Sequence, residues 1–319
     1  MPPKMAVGLI YMIPKGGTKS MEIEKWRPIT LLNTLYKIYA KVLSLRIQNF
    51  LPALIHPSQT GFIKERYILD KIFVFWEAVA LAKNTKQDLT VFFLDFEKAY
   101  ERVDCTFLEE IMIHMGFSEK WIKAVSALCN NPSSKVILAG GIGRPFKLSR
   151  SVRQGCPMEP YLFLLYAKAL SSYISTTSSE IQGLCMPNSS EELVDCEFAD
   201  DTTLYVQEQL ENLYRIQKVL EKFCLGSGAR LNWNKKVAFW ISTLPVPEWS
   251  PHPQFRWIPE GMSVRYLGCQ IGINISLQSQ IAPLLHSLRR KLIYWSIKRL
   301  SLAGRIVIMN QVYYRLCGM

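Results

Sequence analysis

The stretch Phe198-Ala199-Asp200-Asp201-Thr202-Thr203 constrains this chain more than any other. Two adjacent carboxylates interrupt a run of apolar and β-favouring residues, with Val194-Asp195-Cys196-Glu197 before them and Leu204-Tyr205-Val206 after. The pattern predicts a tight β-hairpin carrying Asp200 and Asp201 at its tip. Neighbouring like charges repel unless a cation lies beside them, and hard carboxylate oxygens suit Mg²⁺ or Mn²⁺. A solvated acidic turn is the plain alternative, because turns are rich in Asp.

A second acidic strand end changes that balance. Thr90-Val91-Phe92-Phe93-Leu94-Asp95-Phe96 is an apolar run ending in one carboxylate, as a buried strand delivering a group to its edge would. Asp95 alone also reads as a turn residue. Together with the hairpin it supplies three carboxylates on rigid elements, enough to clamp two metal ions for an in-line phosphoryl displacement.

A chain of 319 residues, 49% hydrophobic, can bury a large core and divide into two or three subdomains. Its net charge of +12 is spread along the sequence, which favours a polyanionic partner met over an extended surface, although basic balance alone leaves other classes open. The eight cysteines form no C-x-x-C pair and the four histidines stand apart, so reduced thiols and an intracellular setting are expected. No leader pattern and no uncharged apolar run of spanning length is present, which argues against secretion and membrane insertion.

Along the chain, Leu9 to Pro14 reads as a strand entering the Gly16-Gly17 turn past Lys15, and Trp26-Arg27-Pro28-Ile29 follows. Lys15 and Arg27 have two readings, solvated charge or triphosphate contact. A helix from about Asn33 has an expected core face of Leu35, Ile38, Tyr39, Val42, Leu43, Leu45, Ile47 and Leu51. Gln59 to Arg66 reads as a basic loop and Asp70 to about Ala82 as a second helix. Asp104 is the expected N-cap of a helix closed by Gly116, and Ser118 caps the next. Residues 133–150 suggest a hairpin, and the Arg153-Gln154-Gly155-Cys156-Pro157 loop leads into a helix from about Pro160 to Ile174. Gln154 and Gly155 suit either the holding of a sugar or base or a structural junction. Residues 178–192 read as a surface loop; a helix follows from Leu210 to Gly226 or Gly228, then a strand from Val237 to Ile241 and a long loop from Leu244 to Pro259. Val264 to Ile271 reads as a hairpin. From about Leu277, Arg289, Arg290, Lys291, Lys298, Arg299 and Arg305 alternate with apolar residues, fitting a nucleic-acid backbone or an ordinary solvated face.

The ordered set Ile13-Pro14-Lys15, Trp26-Arg27-Pro28-Ile29, Gln59-Thr60-Gly61-Phe62, Leu94 to Tyr100, Arg153 to Pro157, Phe198 to Asp201, Leu231-Asn232 with Lys235, and Tyr266-Leu267-Gly268 resembles the reverse transcriptase domain of non-LTR (LINE-type) retrotransposons. The resemblance covers nearly the whole chain. Ser301 to Arg305 also resembles the region after the catalytic core in plant-type elements.

The resemblance implies an α+β right-hand polymerase fold: fingers over 1–88, a palm core over 89–263 with a finger-side hairpin at about 133–150, and a primer-grip hairpin with partial thumb over 264–319. It implies DNA synthesis from dNTPs on an RNA template, primed by a DNA 3′ end, with two Mg²⁺ ions or Mn²⁺ as cofactor. Asp95 and Asp200 would be the principal metal ligands, Asp201 a third carboxylate, and the Phe96 carbonyl a further oxygen. Lys15 and Arg27 would hold the triphosphate, Tyr100 would be the aromatic gate under the deoxyribose, Gln154 would lie near the sugar 3′-hydroxyl and Gly155 near the template pair. Lys235 would protonate pyrophosphate, and Tyr266, Leu267 and Gly268 would grip the primer. Three departures stand out: Glu65-Arg66 replaces a usual Gly-Arg, Glu101 replaces Asp after the gate, and Glu159 replaces Ser before Pro160. No endonuclease domain, upstream finger extension or terminal zinc knuckle is read in the sequence. The competing expectation is therefore a catalytically silent nucleic-acid-binding remnant. Nuclear or cytoplasmic location and oligomeric state are not resolved by the sequence.

Overall fold

The computed structural model describes residues 2, 5–15, 21–129, 132–138, 140–176, 181–187, 189–207, 209–232, 236–242, 256–296, 298 and 300–317. Lys235, the Gly16-Gly17 turn, Arg299 and most of the loop before Pro259 lie outside the described residues.

The chain opens with strands β1 (Val7–Pro14) and β2 (Trp26–Leu31), then helices α1 (Thr34–Gln48), α2 (Leu51–Leu54) and α3 (Ile68–Thr85). Strand β3 (Leu89–Leu94), helices α4 (Cys105–His114) and α5 (Glu119–Cys129), strands β4 (Ser133–Leu138), β5 (Gly141–Ile142) and β6 (Phe146–Lys147), and helix α6 (Glu159–Thr176) follow. Next come β7 (Leu184–Cys185), β8 (Glu192–Leu193), β9 (Asp195–Phe198), β10 (Asp201–Gln207), α7 (Leu210–Ser227), β11 (Val237–Ile241) and β12 (Arg256–Trp257). A last hairpin, β13 (Val264–Tyr266) and β14 (Cys269–Ile271), precedes α8 (Leu277–Ser296) and α9 (Leu302–Cys317).

The central sheet runs β12-β11-β3-β10-β9, and β3 lies in its middle with all six residues buried. Period-two alternation sends Phe92 and Leu94 into one core, with Leu204, Ala238 and the apolar residues of α4, α6 and α7. Val91 and Phe93 point the other way, onto Phe75, Ala78 and Val79 of α3, with Tyr205 and Phe239. A strand covered on both faces has no polar side to show, which is why its sequence reads as an uninterrupted apolar run. Phe75, at 0% exposure, lies within 5.4–5.7 Å of the Phe93, Trp76 and Phe239 rings, and truncating it to Ala would cost about 3–5 kcal/mol.

A second sheet runs β2-β1-β4-β5, with β6 also on β4. Here β1 pairs antiparallel with β2 and parallel with β4, so the hairpin expected over 133–150 is one side of a larger sheet.

Helix α1 corrects the sequence expectation. It buries Tyr36, Ala40, Leu43, Ser44 and Ile47, while Leu35, Ile38, Val42 and Leu45 are 50–56% exposed. Apolar residues cover more than half of the helix circumference, opposite a polar stripe of Lys37, Lys41 and Gln48, so hydrophobicity alone does not say which part meets the core; the buried part includes Tyr36, whose hydroxyl donates to the Leu128 carbonyl. The loop expected over 178–192 contains the short β7–β8 pair, and Gly226 lies inside α7, which ends at Gly228 with φ +76°.

Candidate active site

Strand register brings the acidic ends together. Antiparallel pairing of β10 with β3 sets Thr202 opposite Leu94, so the next position outward opposes Asp201 to Asp95, with Asp200 on the turn just beyond. All three carboxylates are half-buried. Asp95 is held twice by Asn232: the Asn232 N–H donates to its main-chain oxygen at 2.8 Å and the Asn232 amide to its Oδ2 at 2.9 Å. The same short bridge, between Phe96 and Leu231, leaves the Phe96 carbonyl out of its ladder bonds.

The turn before Asp200 is strained and braced. Ala199 has φ +54°, a conformation that costs a residue with a Cβ about 1–2 kcal/mol. The buried Gln59 amide accepts from the Ala199 N–H at 2.9 Å and donates to the Ala199 carbonyl at 3.2 Å. It also accepts from Gly61 N–H and donates to Glu197 Oε2. Gly61 is needed because a Cβ there would stand 2.4 Å from the Ala199 nitrogen. Below the turn, burial pushes the carboxyls of Glu197 and Asp195 up, with each other's charge adding at Glu197 and Lys71 opposing. The Lys71 ammonium, itself buried, donates to the Ser58 carbonyl and to Cys196 Sγ.

Half of the expected basic loop at Gln59 to Arg66 faces inward, while Phe62, Lys64 and Glu65 are exposed. Gln59, Thr60, Gly61 and Ile63 are buried, and the Arg66 guanidinium donates to the carbonyls of Pro52, Ile55, His56 and Gln59. Arg66 ties the loop together from within.

In the second sheet β1 and β2 pair Ile13 with Arg27, so Lys15 and Arg27 leave the same end of that hairpin, both exposed. Tyr100 is half-buried with its ring 4.6 Å from that of Phe163. Its hydroxyl is held well above the ordinary tyrosine range, first by burial and then by the charges of Asp200, Glu159, Asp201 and Glu101.

The Gln154-Gly155 loop is docked on β2 through the Thr30 N–H, which donates to the Gln154 carbonyl at 2.8 Å. Gly155, with φ +108°, approaches so closely that a Cβ would lie 2.6 Å from the Thr30 oxygen. Arg153 anchors the loop from inside: it is 4% exposed, donates to the Ala6 carbonyl and lies over the Tyr36 ring. Gln154 donates through Nε2 to Glu101 Oε1 at 2.8 Å, and Gly155 N–H donates to Glu159 Oε2 at 2.9 Å. Burial pushes the Glu159 carboxyl up to about 8, opposed by that Gly155 N–H and reinforced by Glu101.

At the β13–β14 hairpin, Tyr266 is buried, its ring 4.4 Å from that of Phe93 and its hydroxyl 2.8 Å from Thr203 Oγ1. It anchors the hairpin to the central sheet, leaving Leu267 (φ +46°) and Gly268 (φ +89°) to form the turn. Next to Lys235, Lys236 is 1% exposed and burial depresses its amine to about 7.

Asn232, Gln59, Glu101, Glu159 and Arg66 are the parts of the site that sequence reading did not assign. All act by hydrogen bonds to residues distant in the chain or to main-chain atoms, which leave no local spacing to read.

Among the described residues, no three His, Cys, Asp or Glu side chains stand close enough to hold a metal ion by themselves. The donors still fit a hard divalent ion that completes its shell elsewhere. Mg²⁺ is commonly held by one or two carboxylates plus substrate phosphate oxygens and water, which is what Asp95, Asp200 and the Phe96 carbonyl offer.

Residues 13–271 match the family model described as reverse transcriptase (RNA-dependent DNA polymerase). The uncharacterized 149 kDa protein of transposon TX1 from Xenopus laevis is 31% identical over 97% of this chain and 24% of its own length. The probable RNA-directed DNA polymerase from transposon X-element of Drosophila melanogaster is 21% identical over 98% of this chain and 34% of its own. The Pol polyprotein from the type-1 retrotransposable element R2 of Popillia japonica is 22% identical over 72% and 32%. The chain thus spans about a quarter to a third of the length of these relatives. Telomerase from Candida tropicalis, solved with a TWJ fragment of telomeric RNA, superposes with TM-score 0.58 at 14% identity, over 98% of this chain and 53% of that one. Telomerase from Candida albicans gives 0.54 at 12% identity, over 99% and 55%.

The fold is the α+β right-hand polymerase fold. The chain belongs to the reverse transcriptase (RNA-dependent DNA polymerase) family, as a reverse transcriptase domain of the non-LTR retrotransposon kind.

Proposed function

We propose that this domain extends a DNA primer with dNTPs on an RNA template. The observation that carries the reading is the register of β3 and β10, which brings Asp95, Asp200 and Asp201 to one sheet edge beside Tyr100. Lys15 and Arg27, on one hairpin end, take the triphosphate as separate cations. Tyr100, backed by Phe163, forms a rigid floor under the sugar that leaves no room for a 2′-hydroxyl. Gln154 receives the 3′-hydroxyl, and Gly155 allows the template pair to come close. The turn at Leu267 and Gly268, anchored by Tyr266, bears on the primer, and Lys235 protonates the leaving pyrophosphate. Two Mg²⁺ ions, or Mn²⁺, held by Asp95, Asp200, Asp201 and the Phe96 carbonyl would activate the primer hydroxyl and neutralise the triphosphate.

On this reading fingers occupy 1–88, the palm 89–263 and the primer-grip hairpin with partial thumb 264–319. An intracellular location, nuclear or cytoplasmic, suits a nucleic-acid substrate; no helix among the described residues is long and apolar enough to cross a membrane. The plant-type affinity rests on Ser301 to Arg305 alone. The braced carboxylate set supports catalysis over the silent remnant. The test is extension of oligo(dT) on poly(rA) with dTTP: incorporation that requires Mg²⁺ or Mn²⁺ supports the reading, and a folded, hybrid-binding protein that incorporates nothing with either ion contradicts it.

A further inference from the structure

Two of the three departures from the family pattern meet at one place. Glu101 and Glu159 lie 58 positions apart in sequence, yet each accepts a hydrogen bond from consecutive residues of one loop: Glu101 from the Gln154 side chain, Glu159 from the Gly155 main chain. The loop's other attachments, Thr30 to the Gln154 carbonyl and Arg153 to Ala6, fix its backbone. Neither fixes the Gln154 amide, which has an oxygen that only accepts and a nitrogen that only donates, and which can turn over in place. Glu101 removes that freedom. A carboxylate accepts and cannot donate when ionised, so it takes the Nε2 end and leaves Oε1 as the free end; among the described residues none donates to that oxygen.

We infer that Glu101 is a specificity-determining positioning residue: by holding Gln154 Nε2 it presents the Gln154 amide oxygen to the 3′-hydroxyl of the incoming nucleotide, while Glu159 holds Gly155 in register behind it. The inference rests on the placement of Gln154 at the sugar proposed above. A deoxynucleotide donates its 3′-hydroxyl to that oxygen; a 2′,3′-dideoxynucleotide has nothing to donate. The chain should therefore prefer the former, and the preference should depend on Glu101 through Gln154.

The test is equilibrium binding of dTTP and ddTTP, with Mg²⁺, to the 319-residue chain on poly(rA)/oligo(dT) whose primer ends in a dideoxynucleotide, so that no chemistry intervenes. The wild type should prefer dTTP. Glu101→Ala and Gln154→Ala should each reduce that preference about tenfold, and the double variant should lose no more than Gln154→Ala alone. Hybrid affinity and the melting transition report folding; if Glu101→Ala does not fold, Glu101→Gln, whose amide can donate as well as accept, should still lower the preference. Full preference in the folded Glu101 variant beside a collapsed preference in Gln154→Ala overturns the inference and leaves the Gln154 placement standing. An unchanged preference in Gln154→Ala overturns both. A purely steadying bond would weaken dTTP and ddTTP equally, and that outcome also overturns the inference.

Discussion

Gln59 grips Ala199 by both of its peptide groups, accepting from the N–H and donating to the carbonyl across 140 positions of sequence. The buried amide fixes the one residue of the acidic turn held at positive φ, and so sets the direction in which Asp200 leaves the sheet. Gln59→Ala leaves these groups and the Gly61 N–H without a partner in a closed interior. The expected loss of stability is about 3 kcal/mol, read from urea unfolding. A loss below 0.5 kcal/mol, on the order of a neutral surface change, would show that the turn holds itself.

That pairing also shows where sequence reading stopped. The β3 run, the Asp104 cap with its bonds to Thr106 and Phe107, and the hairpin at Asp200 are local patterns, and each is present as read. The stripe that α1 buries is not local: Leu35 and Tyr36 are adjacent and both apolar, and distant partners of Tyr36, the Leu128 carbonyl and the Arg153 guanidinium, distinguish them. Asp95 and Asp200 could be named from strand ends. Asn232 and Gln59 could not be given roles, because their partners are set by register and by main-chain atoms that carry no side-chain signature. Arg66 was read as part of a basic loop, and its four carbonyl partners turn it inward.

Asn232 orients Asp95 through two hydrogen bonds. Asn232→Ala should raise the Mg²⁺ concentration for half-maximal extension about tenfold while hybrid affinity stays the same. An unchanged Mg²⁺ requirement would remove Asn232 from the support of the site.

Glu159 makes stability depend on pH. Its folded value of about 8 lies above its ordinary 4.5, so between these pH values the folded chain holds a proton that the unfolded chain releases. The contribution is full below about 4.5 and is lost as pH rises through about 8. Glu159→Gln, neutral throughout, should fall less in stability between pH 5.5 and pH 8 than the wild type. Parallel denaturation curves for the two proteins would contradict the shift.

On the proposed reading Tyr100, its ring against Phe163, is the floor under the sugar. Tyr100→Ala should increase incorporation of UTP relative to dTTP by at least about tenfold. If the ratio does not move, the gate lies elsewhere.

The central claim is that the carboxylates gathered by β3 and β10 perform the chemistry, and Asp200→Asn tests it most directly. Asn keeps the shape of the side chain and removes its charge, so the variant should fold and bind poly(rA)/oligo(dT) as the wild type does, and extend it at least about a hundredfold more slowly. Extension at the wild-type rate, or an equal loss of hybrid binding and extension, would contradict the account.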